Sequence, residues 1–382
     1  MHLKKIAIVA GEKSGDYLGS EIVSALKKRH PNAEFVGLAG PLMQAQGVRS
    51  LAEMEKISIM GFDGLLSSIF EILSIRKKLR DFFLDWQPDV FIGIDVPDFN
   101  LGLELKLKQS GTPVAHCVSP TVWAWRGGRI TKIKRAIHKM LALFPFEEDY
   151  YKRHDTPVVC IGHPLANQVR NWVLPNEFIE AFPKKKERRI AILPGSRMSE
   201  VGRLAATMFA GARALASKFE HIEFVIPAAN SKLADYMRDL EEFDPSIMRI
   251  ADGYSRDVLA SSDIAILASG TAALEAALFA KPMVVMYQVS KLTAWHAGRT
   301  MQVSHYSMPN HLTSPPAVKE FVQEEANVEN LVGEVSRLLE DHDYYQTMQA
   351  ALAAIAPELD KDFGLLSAKA IEDLVAQLSP AK

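Results

Sequence analysis

Only two cysteines, Cys117 and Cys160, occur in 382 residues. They lie far apart in apolar runs, with neither a disulfide framework nor metal-ligand spacing, and read as buried thiols of a reducing compartment. Net charge is nearly absent too: 44 Lys and Arg against 46 Asp and Glu leave −2. Bulk electrostatics therefore excludes general nucleic-acid binding. No stretch approaches the roughly 18 uncharged apolar residues of a membrane-spanning helix. The apolar segment after Lys4-Lys5 stops at Gly11-Glu12-Lys13. That is too short for a signal peptide and has no cleavage pattern, so a cytoplasmic protein is expected, free to lie on a membrane surface. Neither the GxGxxG fingerprint nor the GxxxxGKS/T phosphate loop occurs, which weakens dinucleotide and P-loop readings. Tandem repeats and low-complexity tracts are also missing.

What is present is a rhythm. Apolar runs at 5–10, 34–38, 90–94, 114–118 and 140–143, then at 190–193, 223–226, 248–251, 264–268 and 283–286, alternate with amphipathic stretches. Runs that do not alternate with polar residues mark strands covered on both faces, hence parallel sheets flanked by helices. The rhythm breaks between 167 and 189, where Pro175, Pro183 and the charged run Lys184-Lys185-Lys186-Glu187-Arg188-Arg189 suggest a linker. The chain is too long for one typical core. The expected architecture is α/β, with two Rossmann-like doubly wound domains facing a cleft. Residues 1–167 form the first, 168–189 the linker, 190–356 the second, and 357–382 a C-terminal helical segment. Ligands of such sheets bind beyond the C-terminal strand ends, so the cleft is the default site.

Several motifs follow strands. Ser269-Gly270-Thr271-Ala272-Ala273-Leu274-Glu275 is a small-residue turn feeding a helix. Its free N–H groups and the helix dipole suit phosphate, and Glu275, one turn further in, can reach ribose hydroxyls. An ordinary βαβ connection with small residues for close packing explains the segment equally well. Leu193-Pro194-Gly195-Ser196-Arg197 puts a guanidinium fork where it can hold a diphosphate. Asp95 ends an apolar strand, where partly dry surroundings raise a carboxylate toward general-base use. Asp98 and Asn100 are expected to cap the next helix. In Gly11-Glu12-Lys13-Ser14-Gly15-Asp16, two glycines permit close substrate approach, and Ser14 or Asp16 is the alternative helix cap. Trp123 and Trp125 line a pocket or fill a core. Residues 126–139 carry six Lys or Arg and no acid, a face for phosphate or anionic lipid, or merely a solvated helix face. Asn310, in Ser307-Met308-Pro309-Asn310, can bond a ligand. Residues 62–86 are helical in pattern and very apolar, with Leu65, Leu66, Ile69, Phe70 and Leu73 on one side and Arg76, Lys77, Lys78 and Arg80 following. Packing on a sheet is one explanation and a membrane-surface helix the other. No Asp-x-Asp pair follows any of these strands, so no metal clamp is expected.

Taken together the chain resembles the lipid-A-disaccharide synthases, inverting glycosyltransferases of the two-domain GT-B type. The residues that carry the resemblance are Val9-Ala10-Gly11-Glu12-Lys13-Ser14-Gly15-Asp16, Gly93-Ile94-Asp95-Val96-Pro97-Asp98-Phe99-Asn100, Val118-Ser119-Pro120-Thr121-Val122-Trp123-Ala124-Trp125-Arg126, Gly162-His163-Pro164 and Leu193-Pro194-Gly195-Ser196-Arg197. Ala268-Ser269-Gly270-Thr271-Ala272-Ala273-Leu274-Glu275 and Ser307-Met308-Pro309-Asn310 complete the set, in the family's order. Lys13 departs from the family, which commonly has Thr there.

The resemblance implies that UDP-2,3-diacylglucosamine donates its sugar to the 6-hydroxyl of 2,3-diacylglucosamine 1-phosphate. The products are a β-1,6-linked disaccharide 1-phosphate and UDP. It implies Asp95 as general base, Glu12 as its assistant, and Ser14, Asp98, Trp123 and Arg126 on the acceptor side. Arg197, Ser269, Gly270, Thr271, Ala272, Glu275 and Asn310 would bind UDP. No cofactor and no metal are implied. Acylated substrates favour attachment to the inner leaflet of the inner membrane through Leu65, Leu66, Ile69 and Phe70, helped by 126–139. The resemblance also implies a homodimer that exchanges C-terminal helices. Two alternatives stay open: another GT-B enzyme on a UDP-sugar, such as an epimerase or soluble-acceptor transferase, and a catalytically silent sugar-nucleotide sensor.

Overall fold

The computed structural model describes residues 2–58, 65–125, 127–290 and 303–378. The chain divides into two compact units, Met1–Pro164 with Leu359–Lys382, and Leu165–Glu358.

The first unit is built on β1 (Lys5–Ala10), β2 (Glu34–Leu38), β3 (Arg49–Ser50), β4 (Val90–Ile94), β5 (Val114–Cys117), β6 (Lys139–Ala142) and β7 (Val158–Cys160). They form one sheet in the order β3-β2-β1-β4-β5-β6-β7, with every pairing parallel. The second unit holds β8 (Arg188–Leu193), β9 (Ile222–Ala228), β10 (Met248–Asp252), β11 (Ile264–Ala268), β12 (Met283–Tyr287) and β13 (Lys319–Val322), in the order β10-β9-β8-β11-β12-β13. These pairings are parallel as well. Ile6 to Ala10 and Ile264 to Leu267 are fully buried, as central strands covered by helices on both faces must be. In each unit the strand order reverses once, between β1 and β4 and between β8 and β11. Such a switch point opens a crevice at the C-terminal strand ends.

Two expectations change. Arg188 and Arg189 do not lie in a linker; they begin β8. Arg189 is 1% exposed, and the cost of burying it is offset because its Nε donates to Glu223 Oε1 at 2.8 Å, its Nη1 to Ser261 and its Nη2 to the Phe182 carbonyl. The preceding residues are also ordered on the second unit, as the helix Asn176–Ala181 with Phe178 buried. Helix Leu65–Trp86 turns Ile75, Leu79 and Phe83 into the core of the first unit, so the sheet-packing explanation holds for that face. On its other side Phe70 is 71% and Leu73 42% exposed. The side chains of Leu65, Leu66 and Ile69 lie outside the described residues.

The chain leaves the first unit and returns to it at one place. The His163 N–H donates to the Leu359 carbonyl at 3.0 Å, and at Gly162 (φ +78°) a Cβ would come within 2.6 Å of that oxygen. The returning helix Phe363–Leu378 packs on helix Lys13–Arg29 of its own chain, with Glu372 bonded to Arg29 (2.7 Å) and His30 (2.9 Å).

Candidate active site

In the first unit the switch point joins the loop after β1 to the turn after β4. Ala10 and Ile94 are register partners, so Gly11-Glu12 and Asp95-Val96 leave adjacent strand ends. The two loops touch: a Cβ on Gly11 would stand 2.5 Å from Val96 Cγ2. Asp95 is half-buried, and its N–H donates to the Cys117 carbonyl at 2.9 Å. Asp95 (φ +51°) and Val96 (φ +42°) are successive left-handed residues. That conformation is costly for a non-glycine residue and most of all for a β-branched one. Asn100 holds the turn. It is fully buried, and its Nδ2 donates to the carbonyls of Asp95 (2.8 Å) and Ile94 (3.2 Å). Asn100 therefore does not cap the helix Pro97–Gln109, contrary to expectation; it braces the strained turn before it.

Beneath this turn lies a buried pair. His116 Nδ1 meets Glu104 Oε1 at 2.5 Å with both residues fully buried. Burial alone would push the imidazole down, but Glu104 and then Asp95 outweigh it, so the His116 pKa is raised. Gly93, register partner of His116, makes the room, since a Cβ there would fall within 2.1 Å of the Glu104 carboxylate.

Other expected acceptor residues are placed as follows. Glu12 and Ser14 are exposed at the start of helix Lys13–Arg29, with Glu12 at the N-cap position and without a side-chain cap bond. Ser14 and Asp16 do not cap that helix. Asp16 is buried and instead accepts from the Leu42 and Met43 N–H groups at 2.9 and 3.1 Å, capping the short helix Pro41–Ala45. Asp98 is exposed and paired with Arg129 at 2.9 Å. Trp123 stands edge-on to Phe146 at 4.8 Å and donates to Glu147 Oε1 at 3.3 Å. Arg126 lies outside the described residues.

In the second unit the ends of β8, β9, β10, β11 and β12 surround a cavity of about 730 Å³. Arg197, Ser269, Gly270, Thr271, Ala272 and Glu275 all line it. Arg197 sits at the N-cap of helix Met198–Lys218 and is exposed; among the described residues no acceptor pairs with its guanidinium. Glu200 folds back to accept from the Ser196 and Arg197 N–H groups at 2.9 and 3.3 Å. Gly195 (φ +136°) lets it do so, because a Cβ there would lie 2.4 Å from Glu200 Cβ. Across the switch point, helix Thr271–Leu278 begins with Gly270 at its N-cap and presents its first N–H groups at the cavity. The Ser269 hydroxyl donates to the Tyr306 carbonyl at 2.9 Å.

Asn310 departs from expectation. It does not line the cavity but is buried, with Nδ2 donating to the Val318 carbonyl (2.8 Å) and Glu320 Oε1 (2.7 Å) and Oδ1 accepting from Val318 N–H. Its amide is committed to joining this segment to β13. Glu200, Tyr254 and Tyr287 line the cavity without having been singled out. Glu200 was detectable, as an acid three residues past an N-cap.

Residues 6–362 match the lipid-A-disaccharide synthetase family model. The chain belongs to that family. It is 39% identical over 375 residues to the lipid-A-disaccharide synthase of Dechloromonas aromatica, covering 96% of this chain and 97% of that one. Membership makes it a glycosyltransferase of lipid A biosynthesis. The fold is also that of the UDP co-structure of MnaA from S. aureus, with a TM-score of 0.65 at 14% identity over 100% of this chain and 99% of that one. The glycotransferase of kitacinnamycin superposes with a TM-score of 0.64 at 14% identity over 98% and 100%. The two-sheet architecture is thus GT-B.

Proposed function

We propose that this glycosyltransferase moves the sugar of UDP-2,3-diacylglucosamine to the 6-hydroxyl of 2,3-diacylglucosamine 1-phosphate, with inversion and without a metal ion. The observation that carries the reading is the strand-end cavity of the second unit, with the Arg197 guanidinium, unpaired among the described residues, and a helix N-terminus on its wall. In the transfer the acceptor oxygen attacks the anomeric carbon, the bond from that carbon to the diphosphate oxygen breaks, and negative charge develops on UDP. Arg197 and the N–H groups at Thr271 and Ala272 stabilise that charge, and Glu275 accepts from the ribose. Asp95 takes the hydroxyl proton as the new bond forms, with Glu12 beside it on the adjacent strand end. The braced left-handed turn supports this role, because strain of that kind collects where side-chain aim matters.

The test is UDP release from the two acylated substrates, wild type beside Asp95→Asn. Acceptor-dependent release that falls by about 10²–10⁴-fold in the folded variant is expected for loss of a general base. Release unchanged in the variant removes Asp95 from the role. A wild type that binds UDP yet releases none, but epimerises UDP-N-acetylglucosamine, replaces the whole reading.

The same proposal includes peripheral attachment to the inner face of the inner membrane. Exposed Phe70 and Leu73 followed by exposed Lys77 and Lys78 on helix Leu65–Trp86 support it. No helix among the described residues is long and apolar enough to cross a membrane.

A further inference from the structure

Glu275 lines the cavity, but one of its oxygens is already engaged. Arg256 Nε meets Glu275 Oε1 at 2.8 Å, and among the described residues no donor reaches Oε2. Arg256 itself does not line the cavity. Its fork is held at a second point, where Nη1 donates to Gln168 Oε1 at 2.9 Å. Its Cζ lies over the Trp172 ring, 5.5 Å from the ring centroid, and Trp172 is fixed in turn by Nε1 donating to Asp257 Oδ1 at 3.0 Å. A guanidinium held on three sides defines the direction of the carboxylate it grips far better than solvent would.

We infer that Arg256 is a positioning residue for nucleotide recognition: it takes one oxygen of Glu275 and leaves the other to accept from the vicinal diol of a ribose. The inference rests on the reading of Glu275 as the ribose residue. Its chemistry is selectivity for ribonucleotides. A fixed, charged acceptor for a 2′-hydroxyl penalises a nucleotide that lacks it, whereas a swinging carboxylate finds water or the remaining hydroxyl instead.

The probes are UDP and 2′-deoxy-UDP, titrated by calorimetry against wild type, Glu275→Ala, Arg256→Ala, Arg256→Lys and Gln168→Ala. Wild type is expected to prefer UDP by at least about tenfold, the scale of one hydrogen bond to a charged group. Glu275→Ala sets the baseline near equal affinity. Arg256→Ala should approach that baseline mainly by losing UDP affinity. Arg256→Lys, which can reach Glu275 but cannot also hold Gln168, should fall between. A purely structural role for Arg256 weakens both nucleotides alike and leaves their ratio at the wild-type value; that result overturns the inference while the Glu275 reading stands. A wild type that does not distinguish the two nucleotides overturns both. Should Arg256→Ala fail to fold, Gln168→Ala decides: a reduced ratio supports the inference and an unchanged one overturns it.

Discussion

Replacing Asn100 with alanine should reveal how the turn carrying Asp95 is held. The side chain is fully buried, and its amide donates to two successive carbonyls, Ile94 at 3.2 Å and Asp95 at 2.8 Å. Each bond is worth about 1 kcal/mol net, and leaving two acceptors in dry surroundings brings the loss to about 3 kcal/mol. Against this, Asn100 Oδ1 is itself buried without a partner among the described residues, and removing it returns about 1 kcal/mol. The expected net destabilisation is about 2 kcal/mol, or about 4–8 °C in the melting of a unit this size. The effect on activity should be larger than the effect on folding. Asp95 and Val96 sit at φ +51° and +42°, a conformation that costs about 1–2 kcal/mol per residue and persists only while its surroundings enforce it. Without Asn100 the turn can relax, and a displacement of about 1 Å at a reacting group costs roughly 10²-fold in rate. Near-UV circular dichroism gives the melting point, and UDP release well below it gives kcat. A variant that melts like wild type refutes the hydrogen-bond reasoning. One that melts early yet keeps full kcat refutes the claim that the strained turn aims Asp95.

Burial pushes the Glu147 carboxyl up to about 7 despite N–H donors from Phe144, Leu143 and Trp123. The folded state therefore binds a proton more tightly than the unfolded chain. Stability from this group is full below the unfolded value near 4.5 and declines by about 3 kcal/mol as pH rises through about 7. Melting points at pH 5 and pH 8 should lie closer together in Glu147→Gln than in wild type; an identical gap contradicts the assignment. At the membrane, serine at Leu65, Leu66, Ile69 and Phe70 should move the protein from the membrane fraction to the supernatant with its melting point retained, whereas unfolding would show that those side chains belong to the core.

The strands that could be read in advance share one property: at least three apolar residues in a short run interrupted by at most one polar residue, such as His116 in β5 or Arg249 in β10, enough for a buried strand to declare itself. β3, β7 and β13 are not among them. Arg49–Ser50 is too short to show a pattern, Val158–Cys160 is a three-residue strand missing from the expectation although Ile161 extends its apolar run, and Lys319–Val322 carries Lys and Glu because it is an edge strand, so pairing with β12 rather than composition makes it a strand. Arg189 misled for a related reason. A charged run predicts exposure, and it takes partners such as Glu223 and Ser261, far along the chain, together with the Phe182 carbonyl, to make its burial tolerable.

The candidate site divides the same way. The strand-end rule drew Arg197, Ser269–Ala272 and Glu275 around one cavity because parallel strands must open at the same edge. The contacts of Asn310 and Arg256 were not legible in advance because they lie far from local pattern: Val318 and Glu320 for one, Glu275 and Gln168 for the other. Asp95 shows where local rules stop. Its position at the end of an apolar run is legible, but nothing in Asp95-Val96-Pro97 announces two left-handed residues, since glycine is the usual signal for them. That a valine occupies such a conformation means tertiary contacts from Asn100 and β5 override local preference there. A chain tolerates that disagreement between levels chiefly where function requires it. The departure from local preference is thus independent support for Asp95, separate from its place at a strand end.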